Sequence, residues 1–206
     1  MSASRRRVSS EVRASNRRTI ASYERYARDY ARLVAPVPSP ADEAALRRLA
    51  AAVPGGARIL EIGSGPGREA DFLESLGLRV RRTDATRAFL ALQARRGKRG
   101  TLLNVLTDRL GGPYDGILAM CVLIHVDRDH TDLVLRKIAR ALRRRGVFLV
   151  SVRRGRGETT GDYHTIYWQR PAFAARLEAA GLRVTWQARS VDSDGDPWLT
   201  FLAVKS

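Results

Sequence analysis

With 206 residues, 44% of them hydrophobic, the chain is long enough for one well-buried α/β domain and too short for two of ordinary size. No apolar run approaches the roughly 20 residues that span a bilayer, and the single cysteine, Cys121, excludes an intramolecular disulfide and agrees with a reducing cytoplasm. The net charge of +16 invites a nucleic-acid partner, yet Lys98, Lys137 and Lys205 are the only lysines and the arginines scatter along helix faces (Arg136, Arg140, Arg143, Arg144, Arg145), a pattern that reads as GC-rich codon usage as much as selection for phosphate.

Residues 1–18 are rich in Ser and Arg and read as a mobile tail, and no apolar stretch follows Arg5, Arg6 and Arg7 to make a secretory leader. A helical lid is expected over 19–53. Its first helix, 19–33, places Tyr23, Tyr26 and Tyr30 at i, i+3 and i+7, and its second begins at Ala41 after the Pro36 to Pro40 breaker and stops before Pro54-Gly55-Gly56. Residues 59–62 form a short buried strand, 63–67 a glycine turn and 69–76 a helix. A second strand, 78–83, ends in Asp84. Helix 87–96, strand 101–105, strand 114–120, helix 129–142 and strand 146–152 continue the alternation, which predicts a parallel, doubly wound sheet. A loop over 155–168, helix 171–180 and strands 182–188 and 198–204 complete the chain. The fold class is therefore α/β, a Rossmann-like, mostly parallel seven-stranded sheet with an antiparallel C-terminal strand, in a single domain.

Chemistry concentrates at Glu61-Ile62-Gly63-Ser64-Gly65-Pro66-Gly67 and at Asp84. The glycines let the backbone pass close beneath a ligand, and a carboxylate roughly 20 residues on can accept both hydroxyls of a ribose. A dinucleotide fingerprint requires its third glycine where Arg68 stands, which disfavours pyrophosphate and a nicotinamide oxidoreductase. Glu61 would also repel a phosphate but suits a cationic amino-acid group.

These motifs resemble the class I S-adenosylmethionine-dependent methyltransferases, over about residues 23–205. Segments 114–116 and 155–168 are similar to a branch of small bacterial enzymes acting on metabolites or natural products. The resemblance implies S-adenosylmethionine as donor and S-adenosylhomocysteine as product. It implies that Glu61, Gly63, Ser64, Gly65, Gly67 and Arg68 hold the methionine portion, that Asp84 and Ala85 hold the ribose, and that Asn104 and Val105 hold the adenine. Cys121 and Leu123, beside Met120, would lie near the sulfonium, and Tyr23 and Tyr30 would close over the donor.

Methyl transfer needs alignment and exclusion of water more than a particular side chain. Where the acceptor must lose a proton, His125, His164 and Tyr167 are the candidate bases. Arg153 and Tyr26 are the expected acceptor contacts. Without a neighbouring proline, Cys121 reads as a packing thiol and not a nucleophile, and no metal site is expected. The expected activity is methyl transfer to an O or N atom of a small molecule by a cytoplasmic monomer or homodimer. The alternatives are an RNA methyltransferase whose arginines from Arg5 to Arg18 grip phosphates, and a catalytically silent donor-binding protein.

Overall fold

A computed structural model describes residues 8–206. The first seven residues of the expected tail lie outside the described residues, but most of the remainder is helical: α1 spans Ser10–Leu33. It starts nine residues before the expected point because Ser9 caps it, accepting from the amide of Val12, while Val8 and Val12 pack against the core. Weak local hydrophobicity hid that start; tertiary packing supplies it. Helix α2, Pro40–Ala51, has Ser39 as N-cap and a proline in its first turn, the arrangement that needs fewest orphan amides.

Strand β1 (Arg58–Ile62), α3 (Arg68–Ser75), β2 (Arg79–Asp84), α4 (Arg87–Arg95) and β3 (Gly100–Leu102) form the first half. β4 (Tyr114–Ala119), a one-turn helix at Leu123–His125, α5 (Arg128–Ala141) and β5 (Leu142–Arg153) follow. The chain ends with β6 (Glu158–Thr159), β7 (Thr165–Ile166), α6 (Arg170–Ala179), β8 (Leu182–Val191) and β9 (Pro197–Lys205). The seven-stranded sheet has the order β3-β2-β1-β4-β5-β9-β8. Pairings are parallel from β3 to β5, whereas β9 runs antiparallel to both neighbours. This is the class I methyltransferase topology.

Alternation along the strands divides the core between two faces. Leu60, Ile117, Phe148 and Phe201 pack with Ile138 of α5 and Leu177 of α6. Ile59, Leu118, Leu149 and Leu202 pack with Leu46 and Leu49 of α2 and Leu73 of α3. Strand order reverses between β1 and β4, so a crevice opens beyond their carboxyl ends, the place where open α/β sheets bind ligands.

Candidate active site

The turn after β1 is held from below. Gln93, fully buried in α4, donates to the Ser64 hydroxyl (2.8 Å) and the Gly65 carbonyl (2.7 Å). Arg96 takes the Pro66 carbonyl, and Arg82 reaches the Gly67 carbonyl at 3.3 Å. Three successive carbonyls are thereby turned away from the crevice. Asp84 completes the tie: its Oδ2 accepts from the Gly65 amide and its Oδ1 from the Thr86 amide, both at 2.8 Å. Burial raises the Asp84 carboxyl above its ordinary range against the lowering effect of those amides. Gly65 has φ +50, and a Cβ there would meet nothing within 4 Å, so its free side opens on the cleft. At Gly67 (φ +94) a Cβ would meet Arg82 Nη1 at 2.6 Å, and helix α3 begins there with Glu69 and Asp71 in its first turn.

Helix α1 forms the roof. Asn16, Thr19, Tyr23 and Glu24 lie at i, i+3, i+7 and i+8, on one helical face, and each makes a contact across the crevice. Asn16 accepts from Asn104 Nδ2 at 2.6 Å, and Thr19 Oγ1 accepts from the His164 amide at 3.2 Å. Tyr23 Oη lies 3.0 Å from His125 Nε2. The Glu24 carboxylate accepts from the amides of Arg87 and Ala88 at 2.7 and 2.9 Å. Thr86 gives α4 no side-chain cap, so Glu24 fills that role from 63 residues away, a favourable place for an anion.

The cleft is lined by ten of the residues expected at the site: Tyr23, Tyr30, Gly63, Gly65, Asp84, Ala85, Asn104, Val105, Cys121 and His125. Phe89 and Tyr163 were not anticipated. Tyr23 packs against Phe89 at 5.9 Å, Tyr30 at 6.0 Å and Tyr163 at 4.6 Å between centroids. A second cavity lies beneath the β6–β7 hairpin and is lined by Arg153, Thr159, Tyr163, Tyr167, Tyr23 and His125 among others. The 155–168 segment, expected to be a loop, is thus partly strand, tied down where Arg128 donates to the carbonyls of Gly157 and Tyr167.

Seven expected site residues stand elsewhere. Tyr26 is 47% exposed, because seven residues nearly close two helical turns whereas three fall about 60° short of one, which turns it from Tyr23 and Tyr30 toward solvent. Leu123 is fully buried in the hydrophobic core, and Ser64 and Gly67 face the scaffold beneath the turn. Arg68 is paired with Glu69 and reaches toward Asp42 of α2. Glu61 is buried under the turn with Oε2 unpartnered, and burial, chiefly, raises its carboxyl well above the ordinary value. His164 contributes its backbone to the site, while both ring nitrogens are buried and without hydrogen-bond partners. Asn104 spends its side chain on Asn16 and on the Leu106 amide, an arrangement that also ends β3 earlier than expected.

Cys121 sits at φ +58 just past β4, its amide donating to Ser151 Oγ at 2.8 Å. Burial pushes its thiol up to about 12, so little thiolate forms at neutral pH. Ellman's reagent should therefore modify the native protein far more slowly than the urea-unfolded chain; equal rates would place the thiol outside the crevice wall.

Residues 60–148 match the family described as Methyltransferase domain. Over that stretch the chain is similar to methyltransferase domains, and its sheet has the class I methyltransferase fold. No curated protein matches the sequence. The methyltransferase fold is shared with the 1,6-didemethyltoxoflavin-N1-methyltransferase of Burkholderia thailandensis, solved with 1,6-didemethyltoxoflavin and S-adenosylhomocysteine. The TM-score is 0.73 at 24% identity, covering 96% of this chain and 91% of that one. The N-methyltransferase NodS of Bradyrhizobium japonicum WM9, in complex with S-adenosylhomocysteine, gives a TM-score of 0.72 at 17% identity over 91% and 98% of the two chains. The CcbJ methyltransferase of Streptomyces caelestis gives 0.72 at 18% over 91% and 99%. Among the described residues no helix is long and apolar enough to cross a membrane, and no group of three or more His, Cys, Asp or Glu is placed to hold a metal ion. The open face above Gly65, the buried Asp84 carboxylate and an aromatic roof all meet at this crevice, a set of groups suited to a nucleoside.

Proposed function

We propose that the protein transfers the methyl group of S-adenosylmethionine to an O or N atom of a small molecule, acting in the cytoplasm as a monomer or homodimer without a nucleic-acid partner. The observation that carries this reading is the roofed cleft at the strand-order reversal, with the Gly65 turn, Asp84 and the Asn104-Val105 rim around one volume. Asp84 is assigned to the ribose hydroxyls, Val105 with the Asn104 segment to the adenine, and the 63–65 backbone with Cys121 to the amino-acid end. When bound, the donor supplies an electrophilic methyl carbon on a sulfonium. Tyr23, Tyr30 and Phe89 line the cleft and would cover that cation and exclude water from it.

The acceptor is assigned to the cavity beneath the β6–β7 hairpin, which adjoins the donor cleft. The neighbour that acts on 1,6-didemethyltoxoflavin supports a small-molecule acceptor. Calorimetric titration tests the donor assignment: S-adenosylmethionine and S-adenosylhomocysteine are expected to bind, and NADH is not. Absence of heat with both sulfur nucleosides would reject the reading.

A further inference from the structure

The donor cleft and the hairpin cavity have two lining residues in common, Tyr23 and His125. His125 Nδ1 stands 2.7 Å from the carbonyl oxygen of His164. A carbonyl only accepts, so Nδ1 carries the ring proton and Nε2 is bare. The partner of Nε2, 3.0 Å away, is the Tyr23 hydroxyl, which therefore donates to it. The phenol oxygen keeps its lone pairs at the junction of the two cavities.

We propose that Tyr23 and His125 form a proton relay for an acceptor in the hairpin cavity, a flat aromatic ring bearing a weakly acidic hydroxyl or ring N–H, with Tyr23 the residue that touches it. The proposal rests on the reading of the chain as an S-adenosylmethionine-dependent methyltransferase.

The cavity walls select this acceptor class. Tyr23, Tyr163 and Tyr167 offer ring surfaces, against which a planar molecule stacks. Arg153 is ion-paired with Asp196 at 2.5 Å and lies over Trp198, yet its Nε is buried without a partner. The guanidinium opposes an ammonium acceptor, so this wall favours a neutral or anionic one.

In the transfer, the acceptor's O–H or N–H bond breaks, its electron pair forms the bond to the methyl carbon, and the carbon–sulfur pair stays on sulfur. The acceptor's proton passes to Tyr23 Oη while the Tyr23 proton passes to His125 Nε2. The imidazolium so formed keeps its Nδ1–H on the His164 carbonyl. One positive charge disappears from sulfur as one appears on the imidazole, so the buried site carries constant charge and avoids a further desolvation cost. The groups facing His125 are Tyr23 from α1, Arg153 from β5, and His164 and Tyr163 from the hairpin loop. Burial, with smaller downward contributions from His164 and Arg153, lowers the imidazole to about 4 despite its hydrogen bond to the His164 carbonyl. The resting ring is therefore neutral at neutral pH, with Nε2 unprotonated and held against the Tyr23 hydroxyl, and it takes the proton only as the positive charge leaves sulfur.

The test uses the full chain with two rings of similar shape, 7-hydroxycoumarin, protonated at mildly acidic pH, and its 3-cyano derivative, ionised there. The variants are Tyr23→Phe, which keeps the aromatic wall, and His125→Gln, which can accept from Tyr23 and donate to the His164 carbonyl but is not basic. Each should lower kcat on 7-hydroxycoumarin by about 100-fold or more, the usual contribution of a proton acceptor, with little change in KM. Each should lose far less on the ionised ring. Independently of turnover, nitrogen-15 shifts of His125 in donor-free protein should show a neutral ring with the proton on Nδ1 at pH values near 6. Equal losses on both rings, a charged or Nε2-protonated His125, or no methylation of either ring by a wild-type protein that binds S-adenosylmethionine would each overturn the relay. Failure of donor binding would instead remove the methyltransferase reading on which it rests.

Discussion

Asp84→Ala should weaken S-adenosylmethionine binding by about 100-fold or more. Both carboxylate oxygens already accept an amide, Gly65 on one side and Thr86 on the other, and each retains a second lone pair for a ribose hydroxyl. Hydrogen bonds to a charged group contribute about 1.5–3 kcal/mol each, so two lost with the ribose account for that factor, since 1.4 kcal/mol is tenfold in affinity. The variant also frees the Gly65 amide, so the turn should loosen and the urea midpoint fall. Calorimetry separates the effects when run well below that midpoint, where the chain is folded. Because burial holds this carboxyl above its ordinary 3.8 and the ribose requires the ionised form, wild-type affinity should begin to fall on acidification before that pH is reached. A folded Asp84→Ala protein with wild-type affinity would remove Asp84 from the donor site.

The fold was readable because its determinants are local and periodic. β1 and β4 carry the short apolar runs Ile59-Leu60 and Ile117-Leu118-Ala119 close to glycines and turns, and a strand buried on both faces leaves that trace. Asp84 was legible through spacing alone, since the length of one strand–helix–strand unit fixes which strand end faces the crevice. What escaped was set by contacts remote in sequence. Glu24 caps α4 across 63 residues, Gln93 braces Gly65 across 28, and His164 serves the site through its backbone, none of which a local pattern encodes. Phe89 and Tyr163 read as ordinary core or loop aromatics until α1 is laid across them. Arg68 and Glu61 were assigned to the ligand from position in the motif, but the structure turns one toward α2 and seats the other beneath the turn. Backbone spacing predicts where a residue's Cα lies better than which neighbour its side chain chooses.

Arg82→Leu should cost stability toward the lower end of the roughly 3–5 kcal/mol seen when one member of a buried ion pair is removed. Arg82 is 2% exposed and holds Asp71 at 2.6 Å and Glu74 at 2.8 Å. Arg96 and Lys98 also reach these acids, Arg96 at Asp71 and Lys98 at both, which moderates the loss. For Asp71, burial works upward but is outweighed by hydrogen bonds from Arg96 and Arg82. For Glu74, burial is likewise outweighed by hydrogen bonds from Arg82 and Lys98. Both carboxyls therefore end below their ordinary values of 3.8 and 4.5. A depressed folded value means that the stabilisation is fully present above the ordinary range and is lost as pH falls through the folded values. The gap between wild type and Arg82→Leu should thus be widest above about pH 5 and narrow on acidification, as followed by urea unfolding at several pH values. A gap that stays constant would assign the loss to packing of the guanidinium stem instead of its charge. The Gly67 carbonyl also loses a donor in this variant, so donor affinity should fall in the folded protein as well, which links an ion-pair network behind the sheet edge to the ligand side of the glycine turn.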